Sequence, residues 1–247
     1  MTASKPTANI PGTFQLIAET LTLYRIHFRW YLGYAAWALI PLIFVLLFSL
    51  TLPEEIFEIL ELFIFSFLEP ALLLLIAILC FLLTGLFLEK RKPHSGVLGK
   101  QAMALLIPYL MLSLILCVLE LLGSLLLIIP GMIIATWFAF AKPILIFEQA
   151  PILTALKKSK DLICIRFFPV FFRLIAASLL FLLFFLLGYL GIAFASFGLS
   201  GMDMETFLQS SPSLAEQILS QVFLVFLLPL PAIYLTTFYH HLKKISL

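Results

Sequence analysis

Two ionisable residues stand inside otherwise apolar sequence. They are Glu120, in Cys117-Val118-Leu119-Glu120-Leu121-Leu122, and Lys142, in Phe140-Ala141-Lys142-Pro143-Ile144. A charge within lipid is expensive, so such a residue marks a ligand counter-charge, an ion or proton path, or a structural pair. Glu120 lies eleven residues before Gly131 and Lys142 eleven residues after it. If Pro130-Gly131 is the turn between two helices, a rise of about 1.5 Å per residue puts both roughly 16 Å from that turn. The spacing predicts an intramembrane ion pair, with the two side chains at one depth and facing each other. Such a pair can be structural, or Lys142 can extend its stem to the nearer interface. It can also be a proton or anion site in the bundle.

Few other residues suggest chemistry. His27, His94, His240 and His241 all fall at the borders of apolar runs. The last two are adjacent, so on a helix they point about 100° apart and share a metal poorly. The chain contains no H-E-x-x-H, G-x-S-x-G or P-loop. Cys80, Cys117 and Cys164 have no C-x-x-C spacing and read as buried free thiols. Glu54, Glu58 and Glu61 recur at helical spacing. They can attract cations, but an acidic face at the membrane surface is the simpler expectation. Glu148 is expected as a surface partner for the lysines of 157–160. No catalytic constellation, cofactor site or metal site is expected.

The elements that position these residues follow from composition. Of 247 residues, 63% are hydrophobic and 11% charged, and the mean hydropathy is +1.17. Soluble domains carry about 25% charged residues, and a water-soluble fold of this size could not hide so much apolar surface. The apolar runs are long and continuous, so helices rather than barrel strands satisfy the backbone in lipid. The fold class is therefore all-α, a polytopic transmembrane helical bundle of about six spans. The spans are placed near 30–52, 70–88, 103–129, 131–147, 170–197 and 218–239, each close to the roughly 20 residues a crossing needs. Residues 1–12 read as a disordered polar tail without the apolar core of a cleavable signal peptide. Residues 13–247 form one membrane domain.

Charge fixes the expected orientation. Residues 54–69 and 198–217 are acidic and hold no Lys or Arg, while all 15 basic residues fall in the remaining segments. Six spans place every basic group on one side, which the positive-inside bias makes cytoplasmic, with both termini there. Two amphipathic stretches on that side read as interfacial helices. In 13–29, Phe14, Ile17, Leu21, Tyr24 and Phe28 form the apolar stripe, with Arg25 and Arg29 off it. In 151–166, Ile152, Ala155, Leu156, Ser159 and Ile163 share a stripe, and Lys157, Lys158 and Lys160 point away. Those five basic residues are the expected contacts for anionic phospholipid headgroups. Alternatively, each helix simply leads into the next span and packs on the bundle. A net charge of +2 gives no reason to expect a nucleic-acid partner.

Three segments carry a family resemblance: Ile128-Ile129-Pro130-Gly131-Met132-Ile133-Ile134, Phe138-Ala139-Phe140-Ala141-Lys142-Pro143-Ile144-Leu145, and Ala155-Leu156-Lys157-Lys158-Ser159. Together they resemble the YciC-type bacterial inner-membrane proteins, a set related to the membrane domain fused to some glycerophosphodiester phosphodiesterases. The resemblance implies a six-span bacterial inner-membrane protein without an established activity. The phosphodiesterase chemistry of the fused members belongs to a soluble domain that this chain lacks. The chain departs from the pattern at Lys142, where a small or apolar residue is expected.

The functional expectation is a non-enzymatic protein that organises lipid or a protein partner in the membrane, alone or as a homo-oligomer. The alternative is a transporter or channel for a small solute or lipid that uses Glu120 and Lys142. An enzyme acting on lipid headgroups would need clustered His, Asp or Glu at one interface, a cluster the charge distribution disfavours.

Overall fold

The computed structural model describes residues 10–201, 205 and 213–246, and the regular structure among them is helical throughout. The chain runs through α1 (Thr13–Ile26), α2 (Phe28–Ala35), a 3-10 turn (Ala36–Leu39) and α3 (Ile40–Ser49). Next come α4 (Glu54–Phe63), a π-helical turn (Ile64–Leu68), α5 (Glu69–Leu88) and α6 (Ser95–Leu126). Then follow α7 (Ile128–Phe138), α8 (Ala141–Glu148), α9 (Ile152–Cys164) and α10 (Phe167–Ser200). After the residues that are not described come α11 (Leu214–Leu227) and α12 (Pro229–Ser246). Six helical stretches are long and apolar enough to cross a membrane: Phe28–Ser49, Glu54–Leu88, Ser95–Leu125, Ile129–Glu148, Phe167–Ser200 and Leu214–Ile245. The chain is a multi-pass helical membrane protein. Most of the expected polar tail, and half of the acidic segment 198–217, lie outside the described residues.

The core gathers around α5. Ile76, Ile78, Leu79, Cys80, Leu83 and Thr84 are buried there, with α2, α6, α8 and α12 packed around them. Thr84 donates to the Cys80 carbonyl at 2.7 Å and shares a 2.8 Å hydrogen bond with the Tyr31 hydroxyl. Both polar groups are thus satisfied where no water competes. Gly85 admits the Phe147 ring, since a Cβ there would stand 2.3 Å from Phe147 Cε1. The outer faces remain apolar. On α10, Phe172, Leu182 and Phe194 are each at least 60% exposed, as a lipid-facing surface requires.

The structure departs from the sequence expectation in four places. The acidic stretch 54–69 is not a separate connection: α4, the π-helical turn and α5 are continuous over 35 residues. At about 1.5 Å per residue that rod is some 52 Å long, well beyond a hydrocarbon core of about 30 Å. The second departure is the turn of the middle hairpin, which sits at Leu127, extended at φ −174° and ψ 155°, and not at Pro130-Gly131. Pro130 falls in the first turn of α7, where a missing N–H leaves no helix bond unmade. Gly131 serves close approach: a Cβ there would stand 3.0 Å from the Ser124 nitrogen, and one on Gly123 would stand 2.9 Å from Gly131 Cα.

The third departure concerns α1, which buries Leu16 and Thr20 against the bundle and leaves Phe14 86% exposed. Of the sequence stripe, Phe14 and Leu21 face outward, whereas Ile17 and Tyr24 pack against the core beside the face that α12 covers. Fourth, Cys80 is buried as expected, but Cys117 and Cys164 are exposed.

The Gly123–Gly131 crossing yields a test. Gly123→Leu forces α6 and α7 apart and should cost about 1–3 kcal/mol. It should read as a clear drop in thermal midpoint in detergent. Gly191→Leu, where nothing lies within 4 Å, should leave the midpoint unchanged or raised.

Candidate functional site

One face of α6 carries Tyr109, Ser113, Cys117, Glu120 and Ser124, at the three- and four-residue steps of a helical stripe. Facing it are Ala135 and Thr136 of α7, Ala139 of the α7–α8 break, Lys142 of α8, and Phe171, Leu174 and Ser178 of α10. Between these helices lies an open groove of about 760 Å³, lined by both Glu120 and Lys142. Its walls are mainly apolar, with hydroxyls spaced along them. Thr136 donates back to the Met132 carbonyl at 2.7 Å, and Ser124 donates to the Glu120 carbonyl. The buried Ser113 hydroxyl has no hydrogen-bond partner among the described residues.

The groove brings Glu120 and Lys142 together without joining them. No ion pair within 4.0 Å links the two. The position of the turn explains the separation. With the hairpin closing at Leu127, Glu120 is seven residues before the turn and Lys142 fifteen after it. The eight-residue difference offsets them by about 12 Å along the helix axes. Lys142 therefore lies near the level of Ser113. Its ammonium stands 5.4 Å from the centroid of the Tyr109 ring, a cation–π distance.

Lys142 sits where it does because the helix breaks beside it. α7 ends at Phe138 and α8 begins at Ala141. The break exposes backbone groups, and Ser159 of α9 takes them up. The Phe140 N–H donates to Ser159 Oγ at 3.2 Å, and Ser159 Oγ donates to the Trp137 carbonyl at 2.8 Å. Ala155, one turn earlier, and Ser159 are both fully buried, so the small residues of this helix are what allow it to seat. Pro143 falls in the first turn of α8, where it costs no intrahelical bond.

Below the break, Glu148 collects three donors. Lys158 reaches Oε2 at 2.6 Å, and Lys243 and the Tyr239 hydroxyl reach Oε1 at 2.8 and 2.7 Å. One carboxylate thereby ties α8, α9 and α12 together. Lys160 lies over the Trp137 ring at 4.9 Å. Of the basic residues expected at lipid headgroups, Lys158 and Lys160 therefore engage the protein. Arg25, Arg29 and Lys157 are exposed and hold no ion pair among the described residues. Arg173, read in the sequence only as a positive charge, donates to the carbonyls of Pro11 at 2.7 Å and Ile10 at 3.1 Å. It anchors the start of α1 to α10.

The histidines are dispersed. His27 stacks on Phe87 with ring centroids 3.6 Å apart, and burial holds its imidazole below the ordinary value. His241 meets Glu19 at 2.7 Å, joining α12 to α1. Among the described residues, no group of three His, Cys, Asp or Glu is placed to hold a metal ion.

No family model, curated protein or solved structure matches the chain.

The Ser159 joint and the Glu148 cluster predict separate losses. Ser159→Ala strands a buried N–H and should cost about 1–3 kcal/mol, lowering the thermal midpoint. Glu148→Gln should lower it too, and the midpoint of Glu148→Gln should be less sensitive to added salt than that of the parent, because the charge–charge part of the cluster is gone.

Proposed function

We propose that the protein is a non-enzymatic bacterial inner-membrane protein that holds a membrane amphiphile in the groove between α6, α7 and α10. The observation that carries this reading is the groove itself: a laterally open, mostly apolar cleft with two ionisable residues on its walls and no ion pair between them. An acyl chain fits the apolar walls. A polar head drawn inward would meet the Lys142 ammonium and the unpartnered Ser113 hydroxyl. Lys142 is six residues from Glu148, about 9 Å along α8, so the ligand's head would sit slightly below the headgroup layer.

We read the end that carries Glu148, Lys158 and Lys243 as cytoplasmic, with both termini there; the one-sided distribution of basic residues supports this. Arg25, Arg29 and Lys157, exposed at that end, are the proposed contacts for anionic headgroups. A relationship to the YciC-type proteins is part of the proposal. What supports it is that the Phe-Ala-Phe-Ala-Lys-Pro and Ala-x-x-x-Ser segments, which carry the resemblance, meet in one joint. Lipid or solute transport is the second reading, favoured by the break at Ala139-Phe140 directly beside Lys142.

Mass spectrometry of the protein purified gently from native membranes tests the first reading. Wild type should carry bound lipid in near-stoichiometric amount. Lys142→Ala, and Ala135→Trp, which fills the groove, should lose most of it. Equal lipid on wild type and both variants would remove the groove as the site.

A further inference from the structure

α11 opens with Ser213-Leu214-Ala215-Glu216, at the end of α11–α12 remote from Lys243 and Lys244. That spelling predicts a reciprocal cap, in which the serine side chain takes the Glu216 N–H and the glutamate side chain returns to the serine N–H. Only the first half is made. The Glu216 N–H donates to Ser213 Oγ at 3.2 Å. The Glu216 side chain instead lines a cavity, only 7% exposed and with no hydrogen bond or ion pair among the described residues.

The cavity holds about 420 Å³ between α3, the α4–α5 junction, α10 and α11. Glu61 also lines it, and so does Gln221, whose Oε1 is buried without a partner. Four aromatic residues make up half of the remaining walls, with Leu42, Leu224, Gln217 and Ser220 between them. Phe185 stacks with Tyr189 at 6.4 Å and lies 6.5 Å from Phe223. Phe65 comes from the π-helical turn, a distortion that often marks functional sites. Gly188 makes room for the Phe223 ring, which a Cβ would meet at 2.0 Å.

Two carboxylates and an unsatisfied amide oxygen thus converge beside four aromatic faces, and no Lys, Arg or His is among the described lining residues. Carboxylates attract any cation, but aromatic faces select one that is large and weakly hydrated. A hard metal ion requires six to eight oxygens in a tight shell, which ring carbons do not supply. We propose that this cavity binds an organic ammonium group, either the head of an amine-bearing phospholipid or a free small amine. It shares no lining residue with the α6–α7–α10 groove, so it stands or falls independently of that site.

Two arms of one experiment distinguish the sources. The full-length protein in amine-free detergent is titrated calorimetrically with tetramethylammonium, choline and ethanolamine. In parallel it is placed in nanodiscs of phosphatidylglycerol doped with phosphatidylethanolamine or phosphatidylcholine, and retained lipid is read by native mass spectrometry. Saturable binding of a soluble amine supports a small-molecule ligand, and selective retention of an amine-headed lipid alone supports a headgroup. In either arm Glu216→Gln should weaken binding about tenfold or more, and Tyr189→Leu about threefold. Glu54→Gln, exposed on α4 outside the cavity, should leave binding unchanged. If Glu216→Gln does not fold, Glu61→Gln carries the same expectation. No ammonium binding in either arm, or undiminished binding by the folded carboxylate variants, overturns the proposal.

Discussion

A break in a helix that crosses lipid leaves N–H and C=O groups that the surroundings cannot satisfy. The break between α7 and α8 is therefore the constraint from which much of the structure follows. Ser159 meets it with one hydroxyl that accepts from Phe140 and donates to Trp137. For that hydroxyl to arrive, α9 must fold back onto the bundle, and only Ala155 and Ser159 on its inner face are small enough. Once α9 is seated, Lys158 is within reach of Glu148, and the same carboxylate draws in α12 through Tyr239 and Lys243. The break also sets where Lys142 emerges, one residue into α8. The polar groups at this end are linked consequences of one interrupted helix.

Much of this was legible in the sequence. Spans appear as apolar runs because lipid imposes length and composition so strictly that six helices could be placed from hydropathy. Ala155 and Ser159 shared a predicted stripe, and the structure buries both. The failures were failures of register and partner. Pro130-Gly131 looks like a turn, yet proline is equally at home in the first turn of a helix, and glycine also permits close approach. Local sequence does not separate these uses. The four-residue displacement of the turn then doubled into an eight-residue offset between Glu120 and Lys142. On α1, hydropathy alone could not say which of two faces α12 would cover. The α6 stripe of Ser113, Cys117, Glu120 and Ser124 was readable from its spacing, but only Glu120 drew notice because it alone is charged.

The two ends of the bundle handle charge differently. At the end with the lysines, two carboxylates are paired: Glu148 has two lysines, and Glu19 has His241. At the other end, Glu61 and Glu216 share a cavity without a cation among its described lining residues. A matched cluster stiffens the joint it occupies, whereas an unmatched carboxylate retains its capacity to attract a cation. The bundle is pinned at one end and left chemically open at the other.

The contacts of α1 also carry a consequence for the order of assembly. This helix precedes the others described here, yet several of its partners come much later in the sequence. Arg173 holds the carbonyls of residues 10 and 11, Tyr24 donates to the Phe226 carbonyl, and Glu19 meets His241. The first of these bonds waits for residue 173, and the other two wait for residues 226 and 241. Until then the Leu16 and Thr20 face of α1 lacks the partners that cover it in the finished bundle. Its full docking therefore comes late, a latch that engages only once α10, α11 and α12 have been made.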